Sequence, residues 1–340
     1  MSSRASTLGR FLVFALIPWL TCWPISAQAD IERSQLIALG ASVVKIEAER
    51  AQGGYSLGSG VVIAADRVVT NCHVTRDAER VYILRGGDRR PVVAQLRDSE
   101  HDLCVLRVPR LEAPVARISN PGQLELGQPV EALGYTGGLN IQYSSGAVIA
   151  LHRLDGGQVI QSSNWFNSGA SGGGLFDASQ ALVGILTFRL RGGERHYFAA
   201  PAAWLIGLSD AADDRFVAVA PDRSGQLPYW QRPAANQPRF LRAGSMERDK
   251  RWPELQELAE QWTHDDIRDP EPWYFLGLAL SQMDRLPPAR QALACSLAIQ
   301  PDGIEARTLL DHLASTDVAL ARINLDTQSC AVSTNGGTAR

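Results

Sequence analysis

The sequence has no excess of charge of either sign. Over 340 residues, 33 basic and 36 acidic side chains give a formal net charge of −3. The two arginines of residues 1–29 are the only charged side chains there, so the rest of the chain is slightly more acidic. We see no basic stripe, and nucleic acid is therefore not an expected partner.

Long apolar runs are also scarce. The stretch 11–23 is apolar, but it has only 13 residues and contains Pro18, whereas a membrane-spanning helix needs about 18–20. Two arginines precede it and Ala27-Gln28-Ala29 follows it, which is typical of a secretory signal peptide with its cleavage site. We predict that 1–29 is removed, that the mature chain begins at Asp30 without a stable membrane anchor, and that it is exported to a bacterial periplasm or the extracellular space.

Cysteine occurs five times. Cys22 lies in the signal peptide, where the residues before it lack the small side chains that lipoprotein processing usually requires. The even number that remains suits disulfides in an oxidising compartment. Four cysteines allow three pairings, of which Cys72 with Cys104 and Cys295 with Cys330 is the most economical. Four unpaired, buried cysteines are the alternative.

The spacings of common metal sites, CxxC and HxxxH, are absent. Cys72, His73, His101 and Cys104 together have the composition of a zinc site, but adjacent residues at the end of a strand usually point apart. We therefore predict no metal and no cofactor.

Short β-branched runs recur from 42 to 206, separated by Gly, Asp and Asn. They lie at 42–46, 58–64, 67–70, 80–84, 103–108, 146–151 and 181–188. Many short strands with regular turn signals indicate an all-β barrel or sandwich, and no long amphipathic helix interrupts them.

The pattern changes after residue 218. Four prolines among polar residues at 219–242 predict a linker or a loop that runs along the surface. Beyond it, apolar residues recur at helical spacing. Trp273-Tyr274-Phe275-Leu276-Gly277, with Ala289, Leu293 and Pro301, fits one tetratricopeptide repeat; a generic helical bundle is the alternative.

These changes in pattern predict four segments. They are a signal peptide at 1–29, a β domain at 30–218, a Pro-rich linker at 219–245 and a small all-α, tetratricopeptide-like domain at 246–340. A lone repeat cannot bury its own apolar face, so it must pack against flanking helices or the β domain. We expect the helical region to offer a surface to a protein partner.

Three segments carry candidate chemistry. The segment 167–174, NSGASGGG, places Ser171 among glycines, where the backbone can turn sharply and direct N–H groups at one point. Taken alone, it could equally be a flexible hairpin loop. In 68–74, a β run ends on His73, and in 98–106 a group of acids precedes another apolar strand.

The order T-x-x-H-V, D-L-x-V-L and G-x-S-G-G resembles the trypsin-like serine peptidases, and most closely their bacterial Deg/HtrA-type branch. The resemblance covers about 36–205 and implies a chymotrypsin-like double β-barrel that hydrolyses peptide bonds of polypeptide substrates. It implies that His73 is the general base, Asp102 orients it and Ser171 is the nucleophile. It also implies that the N–H groups of Gly169 and Ser171 form the oxyanion hole.

Asp98 and Glu100 are alternative orienting acids, but only Asp102 directly precedes the apolar strand, as the family pattern requires. The other histidines, His101, His152, His264 and His312, lie outside any matching motif and are expected at the surface or in packing. Because the strands that bear His73 and Asp102 must lie side by side, a Cys72–Cys104 bridge would link the two catalytic segments.

The sequence departs from the family pattern in places. Ala170 precedes the serine where the regulated digestive enzymes carry an acid, and Gly174 replaces a common proline. No PDZ-like segment is visible after the β domain. The resemblance implies a substrate pocket near Trp165, Phe166, Thr187, Phe188 and His196.

Two other functions remain open from the sequence. One is a catalytically silent protein that uses a protease fold to bind peptides, against which the three intact motifs argue. The other is a scaffold in which the tetratricopeptide-like helices act and the β domain only stabilises them.

Overall fold

A computed structural model describes residues 33–316, except 121, 123, 139 and 191–196. The predicted signal peptide, His196 and Cys330 therefore lie outside the described residues. Within them, no helix is both long and apolar enough to cross a bilayer.

The first half of the β region forms a seven-stranded antiparallel sheet. A helix α1 (Arg33–Gly40) precedes it, and a four-residue helix α2 (Cys72–Thr75) interrupts it. In spatial order the strands are β5 (Asp88–Pro91), β4 (Ala78–Arg85), β1 (Val43–Arg50), β2 (Tyr55–Ala64), β3 (Arg67–Asn71), β7 (Leu103–Arg107) and β6 (Ala94–Asp98).

The second half of the β region closes into a six-stranded barrel. In spatial order the strands are β10 (Gly157–Ser162), β13 (Tyr197–Pro201), β12 (Leu182–Arg189), β11 (Gly174–Asp177), β8 (Pro129–Gly134) and β9 (Gln142–Leu154), which returns to β10. The expected all-β architecture is therefore confirmed, as one closed barrel and one seven-stranded sheet. Short apolar strands adopt such an arrangement because their side chains are buried most fully when sheets close or pack face to face.

Up to residue 316, five α-helices follow the β region. They are α3 (Arg239–Arg248), α4 (Trp252–Asp265), α5 (Pro270–Gln282), α6 (Leu286–Ile299) and α7 (Ile304–Thr316). The first begins at Arg239, inside the segment 219–245 that the sequence predicts as a linker. Helices α5 and α6 meet where Gly277 faces Leu293, since a Cβ at Gly277 would lie 2.6 Å from Leu293 Cγ.

His152 of β9 joins the barrel to these helices. Its side chain is buried, bonds to Glu271 of α5 at 2.7 Å and to Gln161 at 2.9 Å, and stacks on Phe240 of α3. Burial opposes the imidazolium charge, but the charge of Glu271 and the two hydrogen bonds outweigh it and raise the pKa of His152. His152 is therefore a packing residue, as expected, and it also forms hydrogen bonds between the barrel and α5.

A cavity of about 740 Å³ opens beside His152, between the barrel and helices α3, α5, α6 and α7. Its wall contains Glu247 and Asp269. Burial, with the charge of Glu305, raises the pKa of Glu247 to about 7. Burial, with the charge of Glu271, raises the pKa of Asp269 to about 6.

We expect the contact between the barrel and the helices to weaken as the pH rises. A carboxyl whose pKa is raised on folding stabilises the fold at pH values below its unfolded pKa, which is 4.5 for Glu247. That stability is lost as the pH rises through the folded pKa of about 7. Glu247→Gln has no charge to bury, so at pH 8 its free energy of unfolding should exceed that of the wild type by about 1–2 kcal/mol. Denaturant unfolding at pH 5 and pH 8 measures this difference.

The control for this experiment is Glu257→Gln, which changes an exposed glutamate of α4. It should keep the pH dependence of the wild type. If Glu247→Gln also kept the pH dependence of the wild type, the raised pKa of Glu247 would not be its cause.

Candidate active site

His73 lies where β3 ends and the short helix α2 begins. Asn71 keeps an extended backbone as the residue before that helix, with ψ of 142°, so the chain turns sharply within two residues. The His73 side chain stays partly accessible, with 24% of its surface exposed. Strand β3 therefore holds the backbone before His73 in place, and the turn leaves the imidazole partly exposed at the surface.

Asp102 reaches His73 because β3 and β7 are neighbours, with Asn71 paired to Leu103. Its backbone is left-handed, with φ of 59°, a conformation that aspartate tolerates better than most residues. The Asp102 carbonyl accepts from the Cys72 N–H at 3.1 Å and from Asn71 Nδ2 at 3.0 Å. These bonds hold the turn before β7 against the turn after β3.

The Asp102 carboxylate is fully buried and accepts three N–H groups. The His73 backbone N–H donates to Oδ1 at 2.8 Å, and His73 Nδ1 donates to Oδ2 at 2.6 Å. The indole Nε1 of Trp230 also donates to Oδ2, at 3.2 Å. A buried carboxylate needs such partners. Because Asp102 binds His73 through Nδ1, the other ring nitrogen, Nε2, does not contact Asp102.

The two rival acids bind elsewhere. Asp98 accepts from His101 Nδ1 at 2.6 Å, and Glu100 forms an ion pair with Arg232. Burial disfavours the charge of Asp98, but the hydrogen bonds from His101 outweigh it and lower the pKa of Asp98. Of the three candidate acids, Asp102 is the one that contacts His73.

A disulfide joins Cys72 to Cys104, as predicted. The two cysteines flank the site, because Cys72 precedes His73 and Cys104 lies two residues after Asp102. Both sulfurs are used in the bridge, which removes two ligands from the alternative metal site. Cys295 is buried in α6, and its predicted partner, Cys330, lies outside the described residues.

Ser171 lies in the glycine-rich turn that joins β10 to β11 of the barrel, in contact with β2 of the sheet. Gly169 and Gly172 adopt φ of 96° and 86°, which glycine alone adopts readily. A Cβ at Gly172 would lie 2.1 Å from the Ser59 carbonyl oxygen. Gly58 of β2 lies between Val74 and the Ser171 carbonyl, so the serine turn lies next to the segment that bears His73.

Ser59 fastens this turn. Its hydroxyl donates to the Gly169 carbonyl at 2.7 Å and accepts from the Tyr135 N–H at 2.8 Å, while its own N–H donates to the Ser171 carbonyl at 2.8 Å. In the sequence, residues 58–64 predict only a short β run. A serine between two glycines on a buried strand was the available signal for its function.

The serine turn leaves two backbone donors available. Among the described residues, the N–H groups of Gly169 and Ser171 meet no protein acceptor. The Ser171 hydroxyl donates to the Thr187 carbonyl at 3.4 Å, a long contact. Two free N–H groups beside a weakly bound hydroxyl can receive an oxygen that becomes negatively charged.

The expected pocket residues differ in their exposure. Trp165 has 51% of its surface exposed and is available to a ligand. Phe166, Thr187 and Phe188 are buried: Phe166 packs against Tyr197, and Phe188 is stacked between Phe198 and Trp230. These three side chains are therefore part of the protein interior and do not form an exposed surface.

Residues 58–185 match the family model described as a trypsin-like peptidase domain. This region contains His73, Asp102 and Ser171 and extends from the fourth residue of β2 to the middle of β12. The match ends before the Pro-rich segment and the helices.

Curated relatives match a similar length. A "Probable periplasmic serine endoprotease DegP-like" of Ectopseudomonas mendocina is 36% identical over 143 residues, which cover 40% of this chain and 30% of that protein. The protein of the same name from Pseudomonas fluorescens is 33% identical over 144 residues, with the same coverage. The chain thus spans about a third of the length of these relatives.

Solved structures are also similar to part of this chain. The active form of the Rv3671c protease from M. tuberculosis is 26% identical, with a TM-score of 0.49, over 59% of this chain and 92% of that one. A serine endoprotease from Yersinia pestis is 27% identical, with a TM-score of 0.47, over 51% of this chain and 62% of that one.

Proposed function

We propose that this chain is a serine endopeptidase that hydrolyses internal peptide bonds through an acyl-enzyme. The observation that carries the proposal is the Asp102 carboxylate, which accepts both the backbone N–H and the Nδ1–H of His73 beside the glycine turn of Ser171. This arrangement fixes the imidazole in the tautomer whose Nε2 can accept a proton.

In the proposed reaction, Ser171 Oγ attacks the carbonyl carbon of the substrate while His73 Nε2 takes the hydroxyl proton. The tetrahedral oxyanion is held by the N–H groups of Gly169 and Ser171. His73 then gives its proton to the leaving amine as the peptide bond breaks. Water repeats the sequence on the acyl-enzyme, which releases the new carboxylate and restores Ser171.

We also propose that the enzyme acts in the periplasm after removal of residues 1–29. Relatives named as periplasmic endoproteases and the buried Cys72–Cys104 bridge support this location, because disulfides persist in oxidising compartments. Trp165, which is half exposed, is our choice for the wall of the substrate pocket; His196, which lies outside the described residues, stays a prediction from the sequence.

For the helical region we propose a tetratricopeptide-like unit that docks substrates or a partner protein. Its support is the close crossing of α5 and α6 at Gly277 and Leu293, together with the sequence pattern that begins at Trp273. The division into a β domain at 30–218, a linker at 219–245 and a helical domain at 246–340 is part of this proposal.

Covalent labelling with a fluorophosphonate probe tests the proposed function. The wild type should label, and peptide mapping should locate the probe on Ser171. Ser171→Ala should not label, whereas Ser179→Ala, which changes a serine in the turn after β11, should label like the wild type. A wild type that does not label, either oxidised or reduced, would contradict the enzyme assignment and favour a silent peptide-binding protein.

A further inference from the structure

The Pro-rich segment 219–238, here called the strap, contacts the segments that bear His73 and Asp102. The Asp222 N–H donates to the Arg76 carbonyl at 2.6 Å, and Arg76 Nη1 donates to Gln231 at 3.2 Å. The Tyr229 N–H donates to the Glu100 carbonyl at 3.1 Å. The strap is therefore attached three residues after His73 and two residues before Asp102.

Trp230 is the strap residue that reaches the site itself. Its indole Nε1 donates to Asp102 Oδ2 at 3.2 Å. The ring meets the His73 imidazole edge-on, with centroids 5.6 Å apart, and lies parallel to Phe188 at 4.9 Å. Three contacts in different directions fix the plane of the indole and aim its N–H at the carboxylate.

This contact bears on the geometry of Asp102. Oδ2 is the oxygen that binds His73 Nδ1, so the indole shares the acceptor that orients the imidazole. A hydrogen bond to a buried carboxylate is charge-assisted and stronger than one between neutral groups. It restrains rotation of the carboxylate, and the ring also helps to exclude water from it.

The neighbours of Trp230 keep it in place. Tyr229, the adjacent residue, is 1% exposed and packs against Phe188 and Trp204. On the other side, Gln237 donates to the Trp230 carbonyl at 3.1 Å, just before α3 begins. The barrel therefore supports the indole through Phe188, and Gln237 holds the backbone of Trp230 just before α3.

We propose that Trp230 is a positioning residue of the catalytic centre, which holds the Asp102 carboxylate in the orientation that aligns His73. The proposal rests on the proposed peptidase function. It means that the site is completed by a residue beyond the region 58–185 that matches the peptidase family, so catalysis depends on the segment that leads to the helices.

The test compares Trp230→Phe with Trp273→Phe in the full mature chain. Trp273 Nε1 donates to the Ile267 carbonyl at 3.1 Å in the helical region, so the control loses the same kind of bond away from the site. Trp230→Phe should lower kcat on a peptide substrate by about 10- to 100-fold, with KM within about twofold. Trp273→Phe should keep the kcat of the wild type.

A second variant separates the hydrogen bond from the ring. Benzothienylalanine introduced at position 230 keeps the shape of the indole but has sulfur in place of N–H. It should lose kcat to a similar degree as Trp230→Phe. Wild-type kcat in this variant, or equal kcat in Trp230→Phe and Trp273→Phe, would overturn the proposal.

The downfield proton NMR resonance of His73 Nδ1–H gives a readout that does not need activity. We expect it to shift or broaden in both position-230 variants and to be unchanged in Trp273→Phe. An inactive wild type would contradict the proposed function alone. An unchanged resonance in the position-230 variants would overturn the positioning function alone.

Discussion

Replacing Asp102 by asparagine should lower kcat by about 10,000-fold, the scale known for the orienting aspartate of serine peptidases. Both carboxylate oxygens accept N–H groups here, Oδ1 from the His73 backbone and Oδ2 from His73 Nδ1 and Trp230. An amide has one acceptor oxygen and one donor nitrogen. In either orientation, its NH2 group would therefore face one of the N–H groups that the carboxylate accepts. The imidazole then loses its orientation or its reactive tautomer. Steady-state hydrolysis of a peptide substrate measures the loss.

Asp98→Asn is the matched control, because it makes the same change in the neighbouring acid that binds His101. It should retain at least about a tenth of the wild-type kcat. A loss in Asp98→Asn as large as that in Asp102→Asn would contradict the choice of the orienting acid.

Removal of the Cys72–Cys104 bridge should both destabilise and slow the enzyme. The bridge closes a loop of 32 residues, and its loss should lower the free energy of unfolding by about 2–4 kcal/mol. Because His73 and Asp102 lie within that loop next to the two cysteines, Cys72→Ser combined with Cys104→Ser should also lower kcat by about tenfold. Thermal unfolding and peptide hydrolysis measure the two effects.

Reduction provides the comparison. A thiol reductant that opens the bridge should lower the activity of the wild type and leave that of the double variant unchanged. Cys295→Ser, which changes a cysteine of α6, should respond to the reductant like the wild type. Equal inhibition of the double variant and the wild type would show that the reductant acts elsewhere.

The sequence predicts the strands and the site turns well, because their signals are local. Turn residues separate β-branched runs, and His73, Asp102 and Ser171 each lie at the end of such a run or in a glycine turn. The contact between β3 and β7 also follows, since His73 and its acid must meet. The predicted Cys72–Cys104 bridge depends on that contact and is confirmed.

Trp230 could not be found in this way. It lies 128 residues from Asp102, in a proline-rich segment without periodicity, where the sequence predicts only a linker or a surface loop. The burial of Tyr229 beside it also leaves no pattern, because a short apolar group at 227–230 within a polar segment gives no repeat. Such contacts depend on the path of the chain over a barrel that has already formed.

The pocket shows another limit. Seven of the eight residues of β12 are buried, so the strand is covered on both faces and its sequence does not alternate. The pattern therefore cannot tell which side of Phe188 faces the substrate. Its ring stacks on that of Trp230, a neighbour that no sequence pattern predicts.

Cleavage of a peptide library by the oxidised mature chain, Asp30 to Arg340, tests the central claim most directly. Mass spectrometry of the products should reveal new termini inside the peptides with the wild type and none with Ser171→Ala. No cleavage by the wild type, or equal cleavage by Ser171→Ala, would contradict the account.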